Sequence, residues 1–280
     1  MKRIVSLCPS NTEILVLLGL KDQIVGVDNS SDWPAEVKQL PQCGPDINID
    51  LDKVKSLRPD LVAASLSVPG MEKNIEGLKR EGIPHIVLAA KNLEEIAEDI
   101  RRTGEAAGVG ERAEQVAARF EQRLEKIRKR VPGDRPKPRL YWEWWPKPVF
   151  TPGKRNWLNE VSQLVGGVNV FGDVDRETVQ SDWEEVARRE PDLALIVWTG
   201  VDAGRIQKEQ ILNRPPWQGK SFAREDRVHI LEEGWYCRPS PRLLTGIEYL
   251  AHLLYPEVFS PPDPEAPLGR DRVTGTPRKK

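Results

Sequence analysis

Three cysteines and three histidines are the residues of this chain best suited to hold a metal or attack a substrate. Their spacing does not favour either task. Cys8, Cys43 and Cys237 lie far apart and form no C-x-x-C pair. Each falls near a loop that follows a strand, so the fold could gather them, but plain thiols are the simpler expectation. His85 and His229 open apolar strands, and His252 falls on the last helix, so the imidazoles do not converge. G-x-S-x-G, H-E-x-x-H, a phosphate loop and paired motif carboxylates are all missing. "GVGERA" (108–113) follows a helix rather than a strand, which disqualifies it as a dinucleotide fingerprint. With no base beside a nucleophile, the expectation is no catalysis, no metal ligands and no covalent cofactor.

Flat rings are what remain. "YWEWWPKP", Tyr141 to Pro148, puts four aromatics into five residues of a chain that is 6% aromatic. Of the 18 aromatics, 16 lie after residue 135, so the rings belong to the second half. In a strand, Leu140, Trp142 and Trp144 share one face, and Tyr141, Glu143 and Trp145 share the other. Tyr141 and Trp142 are expected in a core. Trp144 and Trp145, next to Pro146, are expected at a sheet's edge with Phe150, Trp198, Trp235 and Tyr236, which also fall at or just past strand ends. An indole offers a large apolar plane and one N–H, which suits a big, flat ligand.

The elements that position these rings are legible from periodicity. Short apolar runs such as "RIVSL", "QIVGV", "DLVAAS" and "HIVLAA" alternate with helical patterns, as in parallel sheets buried on both faces. The chain also repeats itself. "LDKVKSLRPDLVAAS" (51–65) resembles "WEEVARREPDLALIV" (183–197): a short helix, a proline that ends it, and a buried strand. "KRIVSL" echoes "PRLYWEW", and "IPHIVLAA" echoes "DRVHILEE", in the same order. Between the halves, Asn92 is a plausible cap for one helix. Residues 111–131 carry Ala113, Val116, Ala117, Phe120, Leu124, Ile127 and Val131 at helical spacing, a rod of roughly 30 Å. The expected architecture is therefore α/β, with two Rossmann-like lobes (1–108 and 132–259) joined by a backbone helix (109–131). A proline- and charge-rich tail (260–280) is expected to be disordered.

Composition bounds the partners. Lys and Arg total 42 and Asp and Glu 43, a formal charge of −1, which gives no reason to expect nucleic acid. "MKRIVSL" reads as a strand from Arg3 onward, without the pattern of a signal peptide. That reading leaves a cytoplasmic location open.

"RIVSLCPSNTEILVLLGL", "IVGVDNSSDWP", "VFTPGKRNWLNEVSQLVGGVNVF", the two Pro-Asp-Leu units and "WYCRPSPRLLTGIEYLAHLLYPEVF" together resemble the helical-backbone metal-receptor group of ABC-transporter substrate-binding proteins. Within that group they look most like the cobalamin (vitamin B12) binders. The resemblance covers residues 2–259 in order. It implies a class III bilobal receptor, monomeric, with modest hinge motion and cobalamin as the transported ligand. An ABC permease and its ATPase would be the partners, and the site of action periplasmic or extracellular. It implies cleft contacts from Trp144, Trp145, Phe150, Trp235, Tyr236 and Arg238, with Ser10, Asn11, Ser31, Asp32 and Trp33 from the first lobe. Glu72 and Glu184 match the acidic pair that meets permease arginines. Ser30, Cys43 and Ser65 or Leu66 stand where cobalamin receptors place aromatics, so the first-lobe wall is poor in rings. The alternatives are a ferric-siderophore or haem receptor of the same fold, or a cytoplasmic corrinoid carrier without a permease.

Overall fold

The structure is a computed structural model that describes residues 1–268. The first lobe runs β1 (Ile4–Ser6), α1 (Pro9–Leu17), β2 (Ile24–Val27), α2 (Leu51–Ser56), β3 (Leu61–Ser65), α3 (Glu72–Arg80), β4 (His85–Leu88) and α4 (Leu93–Ala107), and α5 (Gly110–Arg130) follows. The second runs β5 (Arg139–Glu143), β6 (Trp145–Pro146), β7 (Val149–Pro152), α6 (Trp157–Leu164), β8 (Val168–Asn169), β9 (Thr178–Ser181), α7 (Trp183–Arg188), β10 (Leu193–Ile196), α8 (Lys208–Leu212), β11 (Val228–Ile230), α9 (Glu233–Tyr236) and α10 (Leu243–Leu254). No helix among the described residues is long and apolar enough to cross a membrane.

Each lobe is built on a four-stranded parallel sheet, ordered β2-β1-β3-β4 and β8-β5-β10-β11. The sequence echoes align β1 with β5, β3 with β10 and β4 with β11, which hold corresponding places in the two sheets. The match extends to atoms. Asp50 caps α2 by accepting from Lys53 N, and Asp182 caps α7 by accepting from Glu185 N. Arg58 (φ 47°) and Glu190 (φ 43°) both take the left-handed conformation just before the proline. Each break is then fixed to the opening strand. Asp60 accepts from Arg3 N, and Asp192 from Arg139 N, both at 2.7 Å. A left-handed residue followed by proline stops the helix and turns the chain into the next strand.

The second lobe adds something the first lacks. Past β5 the chain enters a three-stranded antiparallel sheet, β6-β7-β9. Sequence periodicity did not foresee this sheet, because its strands are short and two carry proline.

Asn92 caps α4 through Glu95 N, and α5 buries Ala113, Val116, Ala117, Phe120, Leu124 and Ile127. That stripe packs on α4 of the first lobe and on α6 and α10 of the second. One continuous apolar core therefore runs from Ile4 and Ile14 through Phe120 to Trp142, Leu158 and Ile247. Burying a ring such as Phe120 contributes about 1.5–3 kcal/mol, so sliding one lobe on the other disturbs packed side chains. The expected disorder from residue 260 does not hold for 260–268: Leu268 is buried in this same core. Residues 269–280 lie outside the described residues.

Candidate functional site

The site begins where β5 ends. Leu140 and Trp142 enter one core and Tyr141 another, as strand alternation requires. Trp142 donates its Nε1–H to Ser162 Oγ at 2.9 Å. Trp144 then leaves the strand. Its N–H bonds Phe150 O at 2.8 Å, and Trp145 pairs with Phe150 in the β6-β7 hairpin. After β7, Gly153 passes so close to Arg176 O that a Cβ would lie 2.4 Å from it. This tight passage leads to Asn156, which caps α6 through Leu158 N, and to Trp157.

Trp144, Trp145, Phe150 and Trp157 line one side of a cavity of about 440 Å³ between the lobes. Leu66, Val68, Pro69, Ala89 and Ala90 of the first lobe face them. The ring centroids of Trp144 and Trp157 are 6.3 Å apart, and those of Trp145 and Trp198 are 6.4 Å apart. Trp145 is 43% exposed, and the Trp144 Nε1–H is buried without a partner.

A second cavity of about 470 Å³ shares Ser67, Val68, Thr199 and Cys237 with the first. The two are one cleft with an apolar and a polar half. The polar half is lined by Cys8, Ser10, Ser30, Asp32, Asp46, Asp202, Glu232, Glu233 and Arg238, among others. Arg238 Nη1 bonds Asp32 at 2.5 Å and Glu13 at 3.0 Å, and its Nη2 bonds Glu233 at 2.9 Å. Burial opposes ionisation of Asp32, but the Arg238 hydrogen bonds and charge outweigh it and hold that carboxyl below the usual range. Burial raises the Glu233 carboxyl and pushes the Cys8 thiol up to about 11. The Cys237 thiol is raised by burial as well. Both lining thiols therefore stay protonated near neutral pH. Cys43 is buried off the cleft, and no group of three or more His, Cys, Asp or Glu among the described residues is gathered to hold a metal.

The sequence-predicted residues divide into three sets. Trp144, Trp145 and Phe150 line the apolar half, and Ser10, Asp32 and Arg238 the polar half. Asn11, Ser31 and Trp33 stand behind the wall. Asn11 Nδ2 donates to Ala63 O and Ala64 O, Ser31 bonds Thr12 and Asp28, and Trp33 lies 4.7 Å from the Arg242 guanidinium. Trp235 and Tyr236 need correction, because neither faces the cleft. Tyr236 is fully buried, donates to Gly246 O at 2.7 Å and packs 5.3 Å from Trp142. Trp235 packs on Tyr249. Gly246 permits this packing: a Cβ there would sit 2.6 Å from Trp235 O and 2.9 Å from the Tyr236 ring. With no side chain there, α9 beds down on α10 and the Tyr236 ring fits against the α10 backbone.

Sequence reasoning passed over Trp157 and Glu13. Trp157 donates to Tyr236 O at 2.8 Å, so its indole is held in place as cleft wall. Glu13, fully buried in α1, accepts from Arg238, Arg242 and Ser240 of the second lobe. A carboxylate directly before the apolar run "ILVLL" was the available signal. Glu72 and Glu184 are exposed at the first turns of α3 and α7, one on each lobe.

Residues 4–233 match the model of the periplasmic binding protein family. YvrC of Bacillus subtilis (strain 168), an uncharacterized ABC transporter substrate-binding lipoprotein, is 34% identical over 264 residues, 92% of this chain and 81% of its own length. The vitamin B12-binding protein of a Vibrio cholerae serotype O1 strain is 29% identical over 254 residues, 90% of this chain and 89% of that one. Among solved structures, the periplasmic vitamin B12 binding protein BtuF of Vibrio cholerae superposes with a TM-score of 0.75 at 28% identity, covering 90% of this chain and 96% of that one. A periplasmic heme binding protein from Pseudomonas aeruginosa gives 0.80 at 24% identity, covering 94% and 95%, a likeness of fold alone. Fold, cleft and relatives agree: the chain belongs to the periplasmic binding protein family, as an ABC-transporter substrate-binding protein and not an enzyme.

Proposed function

We propose that the chain captures a cobalamin-like corrinoid between its lobes and delivers it to a membrane permease and its ATPase. The observation that carries this reading is the ring-lined half of the cleft. Trp144, Trp145, Phe150 and Trp157 offer a broad apolar wall opposite small side chains, a slot for a large flat macrocycle. Relatives that bind vitamin B12 support it over nearly the whole chain. The chemistry of the lining argues against protein-ligated haem. Haem iron is held by His, Met, Tyr or a Cys thiolate. The described lining residues of the two cavities include no His, Met or Tyr, and burial raises the thiols of Cys8 and Cys237, which disfavours a thiolate ligand. A corrinoid that brings its own axial ligands needs none of these. Glu72 and Glu184, one exposed carboxylate per lobe, are the proposed contacts to permease arginines.

Calorimetry and tryptophan emission test this. Cobalamin should bind with micromolar or better affinity, about −8 kcal/mol, and quench emission. Trp144→Ala should weaken binding by about 2 kcal/mol or more, whereas Trp235→Ala should change it by under about 0.5 kcal/mol. A response to haem or a ferric siderophore with none to cobalamin would overturn the corrinoid reading.

A further inference from the structure

Trp145 is the most exposed of the four wall rings, and its own strand, β6, is two residues long. Behind it stands Trp198, with ring centroids 6.4 Å apart and planes at 52°. Trp198 is half-buried and is not among the lining residues of either cavity, so it supports Trp145 rather than facing the cleft.

Trp198 is in turn held by a charged group. Its Nε1–H donates to Glu143 Oε1 at 2.9 Å. Glu143 ends β5 opposite Ile196 of β10, and Trp198 lies two residues past Ile196, so both side chains fall on one face of the sheet. Glu143 is fully buried. It also accepts from the Tyr141 hydroxyl at 2.6 Å and from both Nη atoms of Arg214, at 2.5 and 2.6 Å. Arg214 is 2% exposed, and its guanidinium lies over the rings of Trp183 at 4.6 Å and Trp217 at 4.4 Å. Burial, then the charge of Glu143, hold the Tyr141 phenol above its usual range, which keeps it a donor.

Stability alone is a poor account of this cluster. Desolvating a carboxylate and a guanidinium costs about as much as their attraction returns, and apolar groups of similar shape are often as stable. The first lobe shows that apolar solution. Matching Arg3 to Arg139 and Asp60 to Asp192 sets Leu7 and Leu66 at the places of Glu143 and Trp198. The acid therefore accompanies the indole. What it adds is a fixed acceptor: a bidentate guanidinium sets the plane of the carboxylate, and a charged acceptor binds an N–H more strongly than a neutral one.

Resting on the reading that a corrinoid packs on the ring-lined half, we infer that Glu143 and Arg214 are positioning residues for that ligand. They fix the Trp198 indole, and Trp198 sets the angle at which Trp145 meets the ligand. Neither residue is among the described lining of the cleft, so both act through Trp145.

The test removes the cluster as a unit, in the variant Tyr141→Phe, Glu143→Leu, Arg214→Met, which strands neither a buried charge nor the phenol. Cobalamin should bind this variant about tenfold more weakly than the unaltered protein. With Trp145→Ala added to both proteins, the difference should fall below about twofold, because the cluster then has no ring to position. Near-UV circular dichroism reads the same placement without ligand. The signal that Trp145→Phe removes from the unaltered protein should be largely lost in the cluster variant, although both indoles are present. If that variant does not fold, Trp198→Phe keeps the ion pair and a ring but no N–H. It should weaken cobalamin about threefold beside Trp145 and leave affinity unchanged beside Trp145→Ala. Affinity that falls equally with and without Trp145 means that the cluster only supports the fold; that result overturns the inference and leaves the corrinoid reading standing. Affinity unchanged by either variant does the same. No cobalamin bound by the unaltered protein, with the dichroism signal lost in the variant, sinks the corrinoid reading and keeps the placement of Trp145 by this cluster. No binding and an unchanged signal overturn both.

Discussion

The two lobes share one plan and put it to opposite uses. Their parallel sheets have the same strand order, the same capped helix and the same left-handed residue before proline. Yet the first lobe gives the cleft aliphatic side chains with Asp32 and Asp46, and the second gives it indoles, Arg238 and the carboxylates Asp202, Glu232 and Glu233. The difference has a local origin. After β5 the second lobe inserts the β6-β7-β9 sheet, which carries Trp145 and Phe150 beyond the sheet's end. The first lobe has only a loop after the equivalent strand. The lobes also exchange signs where they touch. Deep in the interface an acid of the first lobe, Glu13, meets Arg238 and Arg242 of the second. At the rim a base of the first lobe, Lys91, meets Glu177 of the second. The deep contact is dry and the rim contact wet, so their energies should differ several-fold.

Breaking the deep contact should have the largest effect. Glu13 is fully buried, while Arg238 and Arg242 are each 8% exposed. Removing one partner of a buried, hydrogen-bonded charge network leaves the others desolvated and uncompensated, at a cost of about 3–5 kcal/mol. Glu13→Ala should lower the urea-unfolding free energy by about that amount. Glu13→Gln keeps an acceptor and should cost less. Arg238 retains Asp32 and Glu233, so most of the loss should fall on Arg242, which has no other ion pair among the described residues and keeps the face of Trp33 and the longer-range charge of Asp32. A cost below about 1 kcal/mol for Glu13→Ala would mean that the lobes are held by the shared apolar core alone.

Asp28 sharpens the comparison from the first lobe's side. Its carboxyl is fully buried and accepts from Ser30 N at 2.7 Å and Ser31 Oγ at 2.5 Å. Burial pushes it from 3.8 up to about 6, the two serine bonds limit the rise, Asp46 adds to it and Arg238 opposes it. A native carboxyl raised above its unfolded value binds its proton more tightly when folded. Its contribution to stability is fully present below about pH 4 and is lost as the pH climbs through about 6. A rise of that size corresponds to roughly 2–3 kcal/mol. Denaturation at pH 4 and pH 7 should show the wild type losing about that much more than Asp28→Asn across the interval. Glu233 and Asp46, also raised mainly by burial, act in both proteins and largely cancel in the difference. Parallel profiles would show that this carboxyl titrates normally.

How much of this was legible follows from how local each cause is. The repeat could be read because its parts lie within a few residues: a proline ends the helix, and its aspartate fastens the turn to the strand. Trp144, Trp145 and Phe150 were readable as wall because they directly follow a strand end. Trp235 and Tyr236 satisfied the same rule and failed it, since the partners that hold their rings, Tyr249 for one and Trp142 with Gly246 O for the other, lie on other elements. Ala89, Ala90 and Pro69 carry no chemical signal at all; they form a wall only because rings stand opposite. Glu13 was legible only weakly, as a charge that directly precedes the apolar run Ile14–Leu18. Its partners, more than 220 residues away, were not.

The rim contact gives the smallest expected effect and the sharpest contrast with Glu13. Lys91 Nζ and Glu177 Oε1 are 2.6 Å apart, with side chains 49% and 43% exposed. Water solvates both charges whether or not they meet, and holding two long side chains together costs rotamer entropy. Such pairs contribute about 0.2–1 kcal/mol, less at high salt. A double-mutant cycle with Lys91→Met and Glu177→Gln should therefore return a coupling below about 1 kcal/mol, fading toward zero near 1 M salt. Both residues line the ring-lined half of the cleft and are solvent-exposed. A ligand entering there against either residue would part the pair. A weak, screened pair yields to that entry, whereas one as strong as the Glu13 network would oppose it. A salt-insensitive coupling of about 3 kcal/mol would overturn this distinction and make the rim, like the interior, a fixed joint between the lobes.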